Sequence, residues 1–141
     1  MCGFAGIIGE SNLPDRLIDT VSEAIAHRGP DGRGEWIEND ICLIHRRLSV
    51  QDIEGGSQPM ISVGGRHVVV YNGEIYNFPV LKSELEGEGV VFRTHCDTEV
   101  LLHVYAKYGA KMVNNLRGMF AFAIWDRSTQ EPPWYPSPES T

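Results

Sequence analysis

Cys2 stands one methionine from the amino terminus, and removal of Met1 would leave a thiol and a free α-amine on one residue. A free α-amino group titrates near about 8 and an ordinary thiol near about 8.5, so that amine can accept the thiol proton at neutral pH. Nucleophile and base then share a residue, and no histidine partner is needed. The other fate open to Cys2 is that of a buried, inert thiol. Cys42 and Cys96 complete an odd set of three cysteines without CxxC spacing, which argues against a disulfide framework or a structural zinc site. Both read as packing thiols, and free thiols fit a reducing compartment, so the cytoplasm is the expected location. His45, Arg46 and His95 match no metal-site spacing, and no metal is assigned to them.

A nucleophile needs a rigid seat, and the residues after Cys2 offer one. Phe4-Ala5-Gly6-Ile7-Ile8-Gly9 is a nearly continuous apolar run that predicts a buried strand with Cys2 at its leading end. Asp15 to His27 places Leu17, Ile18, Val21, Ala24 and Ile25 on one helical face. His27-Arg28-Gly29-Pro30-Asp31-Gly32 must be a loop. Ile41 to Arg47 and Arg66 to Asn72 predict strands, with a glycine- and proline-rich, turn-dominated stretch between them. Pro79 to Glu86 predicts a helix with proline in its first turn, and Val90 to Arg93 an edge strand. Asp97 to Tyr108 predicts a helix capped by Asp97 and ended by Gly109. Ala110 to Leu116 predicts a short helix, and Met119 to Trp125 a second buried strand. Gln130 to Thr141 holds Pro132, Pro133, Pro136 and Pro138, a composition expected to stay extended and disordered.

At 141 residues the chain has room for one domain with a real core. A net charge of −7, from 12 basic against 19 acidic residues, argues against a nucleic-acid footprint. No run approaches the roughly 18 apolar residues of a membrane helix. The start lacks the basic-then-apolar pattern of a secretory signal.

Six motifs then occur in a fixed order. They are Cys2-Gly3, His27-Arg28-Gly29-Pro30-Asp31-Gly32, Arg47-Leu48-Ser49, Asn72-Gly73-Glu74-Ile75-Tyr76-Asn77, Asp97-Thr98-Glu99-Val100 and Leu116-Arg117-Gly118-Met119-Phe120-Ala121-Phe122. In this order they resemble the class II glutamine amidotransferase domain of the asparagine synthetase (glutamine-hydrolysing) family, over residues 1–127, with 128–141 as a separate proline-rich tail. The resemblance implies an α+β fold, the N-terminal-nucleophile sandwich of two antiparallel sheets between helical layers. It implies hydrolysis of the side-chain amide of L-glutamine to glutamate and ammonia. Cys2 then matches the nucleophile, and Asn72 with Gly73 the oxyanion hole. Arg47 matches the grip on the substrate carboxylate, and Glu74 and Asp97 the grip on its ammonium. The backbone near Leu48 and Val50 lines the substrate in relatives. Plainer roles remain open at this stage: a hairpin turn for Asn72-Gly73, a surface ion pair for Arg47, a cap for Asp97, and core packing for Leu48 and Val50. His27, Arg28 and Asp31 are expected to hold the loop by hydrogen bonds, and Tyr71, Tyr76 and Tyr105 to be core or rim aromatics.

Relatives continue with further strands and an ATP-using synthetase domain, and this chain carries no phosphate-binding loop. The sandwich is therefore expected to be incomplete on its C-terminal side. No cofactor is expected in this chain, since ATP and Mg belong to the synthetase domain, and the expected partner is a separate synthetase domain or subunit that accepts ammonia. Two rivals share the same residues. One is a catalytically inactive, truncated remnant or regulatory binding module of the same fold. The other is a hydrolase of a different amide, against which Arg47 and Asp97 argue because they suit a free amino acid.

Overall fold

In a computed structural model of the chain, residues 2–9, 13–48 and 56–129 are described. Strand alternation sets the layers. In β3 (Ile41–Arg47), Ile41 and Leu43 point one way and Cys42 and Ile44 the other, and all four are buried. A strand apolar on both faces must be covered on both. β1 (Gly3–Ile8) and β2 (Gly32–Glu38) flank it antiparallel, in the order β1-β3-β2. A second antiparallel sheet has the order β4-β5-β6, with β4 at Met60–Ile61, β5 at His67–Ile75 and β6 at Gly118–Asp126.

The two sheets bury Leu43, Val68, Val70 and Trp125 between them, with Phe4 half-buried against this cluster. α1 (Asp15–Ala24) covers the outer face of the first sheet, seating Ile18 against Cys42 and Ile44. The outer face of the second sheet, with Tyr71, Ile75, Phe122 and Ile124, carries α2 (Phe78–Gly87) and α3 (Asp97–Tyr108). The result is helix, sheet, sheet, helix, as expected.

Several elements differ from expectation. β2 lies where no strand was expected. It is joined to β3 through Asn39-Asp40, with Asn39 at a φ of 53°, which asparagine tolerates well. β1 is an edge strand and not a buried one, and its Ile8 is 57% exposed. β6 likewise alternates, with Met119 71% exposed while Phe122 and Ile124 are buried. Val90 to Arg93 forms no strand. Arg93 and Thr94 instead donate their backbone N–H groups to the buried Glu99 carboxylate at 2.8 and 2.7 Å. The short helix after α3 is a 3-10 segment, Gly109–Asn115. The proline-rich stretch falls outside the described residues.

One end of the sandwich is latched across the sheets. Arg127, just past β6, forks onto Glu38 of β2 at 2.8 and 3.0 Å, while Trp125 Nε1 donates to the same carboxylate at 3.2 Å. These donors, Arg127 first, hold the Glu38 carboxyl below its ordinary range. The opposite end is where the motifs gather.

Candidate active site

The alternation that aims Phe4, Leu43 and Val70 between the sheets also fixes the residues beyond them. It aims Cys2 and Asn72, one period on, and Arg47, two periods on from Leu43, at the same space, and Glu74 follows Asn72. Gly3 pairs with Arg46, so Cys2 sits opposite Arg47 where β1 begins and β3 ends. The Leu48 N–H donates to Cys2 Sγ at 3.3 Å, and the Leu48 carbonyl lies 3.7 Å from the sulfur. The thiol is half-buried and unbonded to another cysteine.

The glycine-proline loop secures this corner. Arg28 Nε donates to the Cys2 carbonyl at 3.3 Å, and the Asp31 N–H donates to the Arg47 carbonyl at 2.9 Å. Gly29 lies so close to the end of β3 that a Cβ there would fall 2.2 Å from the Arg46 carbonyl, which only glycine avoids. Arg28 and Asp31 thus take the expected holding roles, Asp31 through its backbone.

On the facing sheet, Asn72-Gly73 is no turn. Both residues lie inside β5, paired with Ala121 and Phe120. β4 pairs with only Val68 and Val69, leaving the rest of that β5 edge open to other partners. Tyr71 N–H points to this edge and donates to Gln58 Oε1 at 2.6 Å, and Ile75 N–H does so to Asp97 Oδ2 at 3.3 Å. By strand alternation the Gly73 N–H falls between them on the same edge. It meets no hydrogen-bond acceptor among the described residues, and neither does the Asn72 side chain. Gly73 itself is exposed, at a φ of 148°, and a Cβ there would lie 2.2 Å from the Met119 carbonyl.

Asp97 is not the helix cap. Cys96 occupies that position in extended conformation, and Asp97 is the first residue of α3. Its carboxylate reaches back to β5, where Oδ2 accepts the Tyr71 hydroxyl at 2.7 Å and the Ile75 amide. Asp97 therefore stands at the open edge, two residues along from the Gly73 N–H. Glu74 is exposed on the inner side, and Val50 lies outside the described residues.

A thiol, a guanidinium, an unfilled amide and two carboxylates thus converge on one end of the sandwich. A family profile described as a glutamine amidotransferase domain matches residues 1–132. The chain belongs to that family. Asparagine synthetase [glutamine-hydrolyzing] 1 of Bacillus subtilis is 41% identical over 133 residues, covering 91% of this chain and 21% of that protein. Asparagine synthetase B of Escherichia coli is 41% identical over 106 residues, covering 75% of this chain and 19% of that protein. The glutamine phosphoribosylpyrophosphate amidotransferase of B. subtilis superposes with a TM-score of 0.72 at 23% identity, over 89% of this chain and 35% of that one. That likeness establishes the N-terminal-nucleophile fold. The chain spans about a fifth of the length of the synthetases it matches.

Other residues of this amidotransferase domain support the site from behind, and sequence reading passed over them. His45 is 1% exposed on the inner face of β3, and its Nε2 lies 3.2 Å from the Tyr71 carbonyl of β5. Burial lowers its pKa from 6.5 to about 4, so the ring is neutral and Nε2–H donates across the sheets. The parity it shares with Leu43 and Arg47 was the available signal. Glu99, buried in the first turn of α3, also accepts the Thr94 hydroxyl at 2.6 Å and so fixes the approach to that helix. Of the remaining cysteines, Cys42 is a packing thiol pushed up to about 11 by burial, and Cys96 Sγ lies 3.1 Å from Thr94 Oγ1. Tyr71 is buried and Tyr76 exposed. Among the described residues no cluster of three or more His, Cys, Asp or Glu side chains could hold a metal, and no helix is long and apolar enough to cross a membrane.

Proposed function

We propose that this domain hydrolyses the side-chain amide of L-glutamine and supplies the ammonia to a synthetase domain or subunit. The observation that carries the reading is the Gly73 N–H. It lies between two satisfied amides on an open strand edge, at the end of the sandwich where Cys2 and Arg47 face inward.

With Met1 removed, the Cys2 amine takes the thiol proton and sulfur attacks the amide carbon. The negative charge formed on oxygen is held by the Asn72 side-chain N–H and the Gly73 backbone N–H. The amine returns its proton to the leaving nitrogen, ammonia departs, and a thioester to Cys2 remains. Water attacks the thioester, giving up a proton to the amine, and glutamate leaves as the thiol is restored. Arg47 binds the substrate carboxylate through its planar fork, Asp97 and Glu74 hold the ammonium, and the backbone near Leu48 and Val50 lines the chain of the substrate. None of these steps calls for a cofactor. ATP and Mg belong to the step that consumes the ammonia, on the synthetase.

The test is glutamate and ammonia release from purified protein. Cys2→Ala should abolish release and leave glutamine binding in place. Turnover near the unsubstituted level in that variant would refute the nucleophile assignment.

A further inference from the structure

All three polar groups of Tyr71 are engaged, each with a different segment. Its N–H donates to Gln58, its carbonyl accepts from His45, and its hydroxyl donates to Asp97 Oδ2 at 2.7 Å. The ring is 4% exposed, packed between β5 and the helices that cover it. Both donors that reach Asp97, the Tyr71 hydroxyl and the Ile75 amide, land on the same oxygen, and the amide contact is the longer at 3.3 Å. Oδ1 takes no hydrogen bond among the described residues. Without the hydroxyl, one long amide contact would be left to fix a carboxylate at the very start of a helix.

We propose that Tyr71 is a positioning residue that sets the pocket's selectivity for an amide bearing an α-ammonium group, by turning Asp97 so that Oδ1 faces the substrate. The inference rests on the proposed ammonium role of Asp97 and adds a residue that no motif assigns. Burial first, and then the Asp97 hydrogen bond, raise the phenol far above its ordinary pKa, so it remains a donor wherever the fold persists. A hydrogen bond to a charged group contributes enough that its loss weakens binding by about tenfold or more.

The test measures calorimetric affinities in a Cys2→Ala background, where no turnover occurs, for L-glutamine and for 4-carbamoylbutanoate, which is glutamine without its α-amino group. Tyr71→Phe keeps the ring that fills the core, and its thermal transition checks that the fold is retained. The substitution should weaken glutamine binding about tenfold and the des-amino amide by less than about twofold, collapsing the ratio between them. Asp97→Asn should collapse the same ratio, and the double variant should add little, because both act on one contact. If Asp97→Asn collapses the ratio and Tyr71→Phe does not, the ammonium assignment stands and the role of Tyr71 is overturned. Equal weakening of both ligands by Tyr71→Phe would make it merely structural. If Asp97→Asn leaves the ratio unchanged, the proposed ammonium site itself fails.

Discussion

Lowering the pH from 7.5 to 5 should destabilise this domain by an amount set largely by His45. The imidazole is fully enclosed between the sheets, and its pKa is lowered from 6.5 to about 4. In the unfolded chain it takes up a proton near pH 6.5, whereas the folded protein resists until about pH 4. Stability is therefore complete above the unfolded value and drains away as pH falls through that window. The full gap corresponds to about 3 kcal/mol, of which about 2 kcal/mol is lost by pH 5. His67 is also lowered by burial and adds in the same direction. Asp126, Glu38 and Glu99 are held below ordinary values of 3.8 to 4.5, so their contributions fade at lower pH. Urea unfolding at pH 7.5 and pH 5 measures the difference, with His45→Gln as the comparison. Glutamine keeps an N–H donor near the Tyr71 carbonyl but does not titrate. It should therefore keep only the smaller slope due to His67. An unsubstituted protein equally stable at both pH values would rule out His45 as the source of the loss, as would a His45→Gln variant with the full slope.

Three further outcomes follow from the site. Asn72→Ala should lower kcat by about 10²–10³ with little change in glutamine affinity, and steady-state glutaminase kinetics separate the two. Gly73→Ala meets both a φ of 148° and a contact 2.2 Å from the Met119 carbonyl. It should cost about 1–3 kcal/mol in denaturant unfolding and abolish turnover as the amide is displaced. Arg47→Ala should weaken glutamine binding by about tenfold or more while leaving the thermal transition nearly unchanged, and an unchanged affinity would count against the carboxylate grip.

Much of this architecture was legible where local pattern and tertiary burden agree. β3 and α3 have the ends their residues predict, because the apolar run Ile41-Cys42-Leu43-Ile44 and a terminal glycine act locally. β2 was hidden because it is an edge strand whose exposed face carries Arg33 and Glu35, leaving a weak apolar alternation. Val90 to Arg93 carries strand-forming residues, but the buried Glu99 carboxylate takes the backbone amides of Arg93 and Thr94, and a side chain five or six residues away in sequence is not visible in a local pattern. Asp97 looked like a cap for the same reason: the groups that claim its carboxylate, on Tyr71 and Ile75, are 26 and 22 residues distant. The motifs brought forward Cys2, Arg47, Asn72 and Gly73, since their chemistry is their own. His45 and Tyr71 escaped, because their roles exist only once the two sheets and α3 have packed.

The proposed glutaminase chemistry requires Cys2 to be a processed, glutamine-directed nucleophile. The most direct measurement is the intact mass of the purified protein before and after exposure to an electrophilic glutamine analogue. Loss of Met1 and a single adduct mapped to Cys2 are expected, with excess L-glutamine preventing the adduct. Retained Met1, or labelling that glutamine does not suppress, would contradict it.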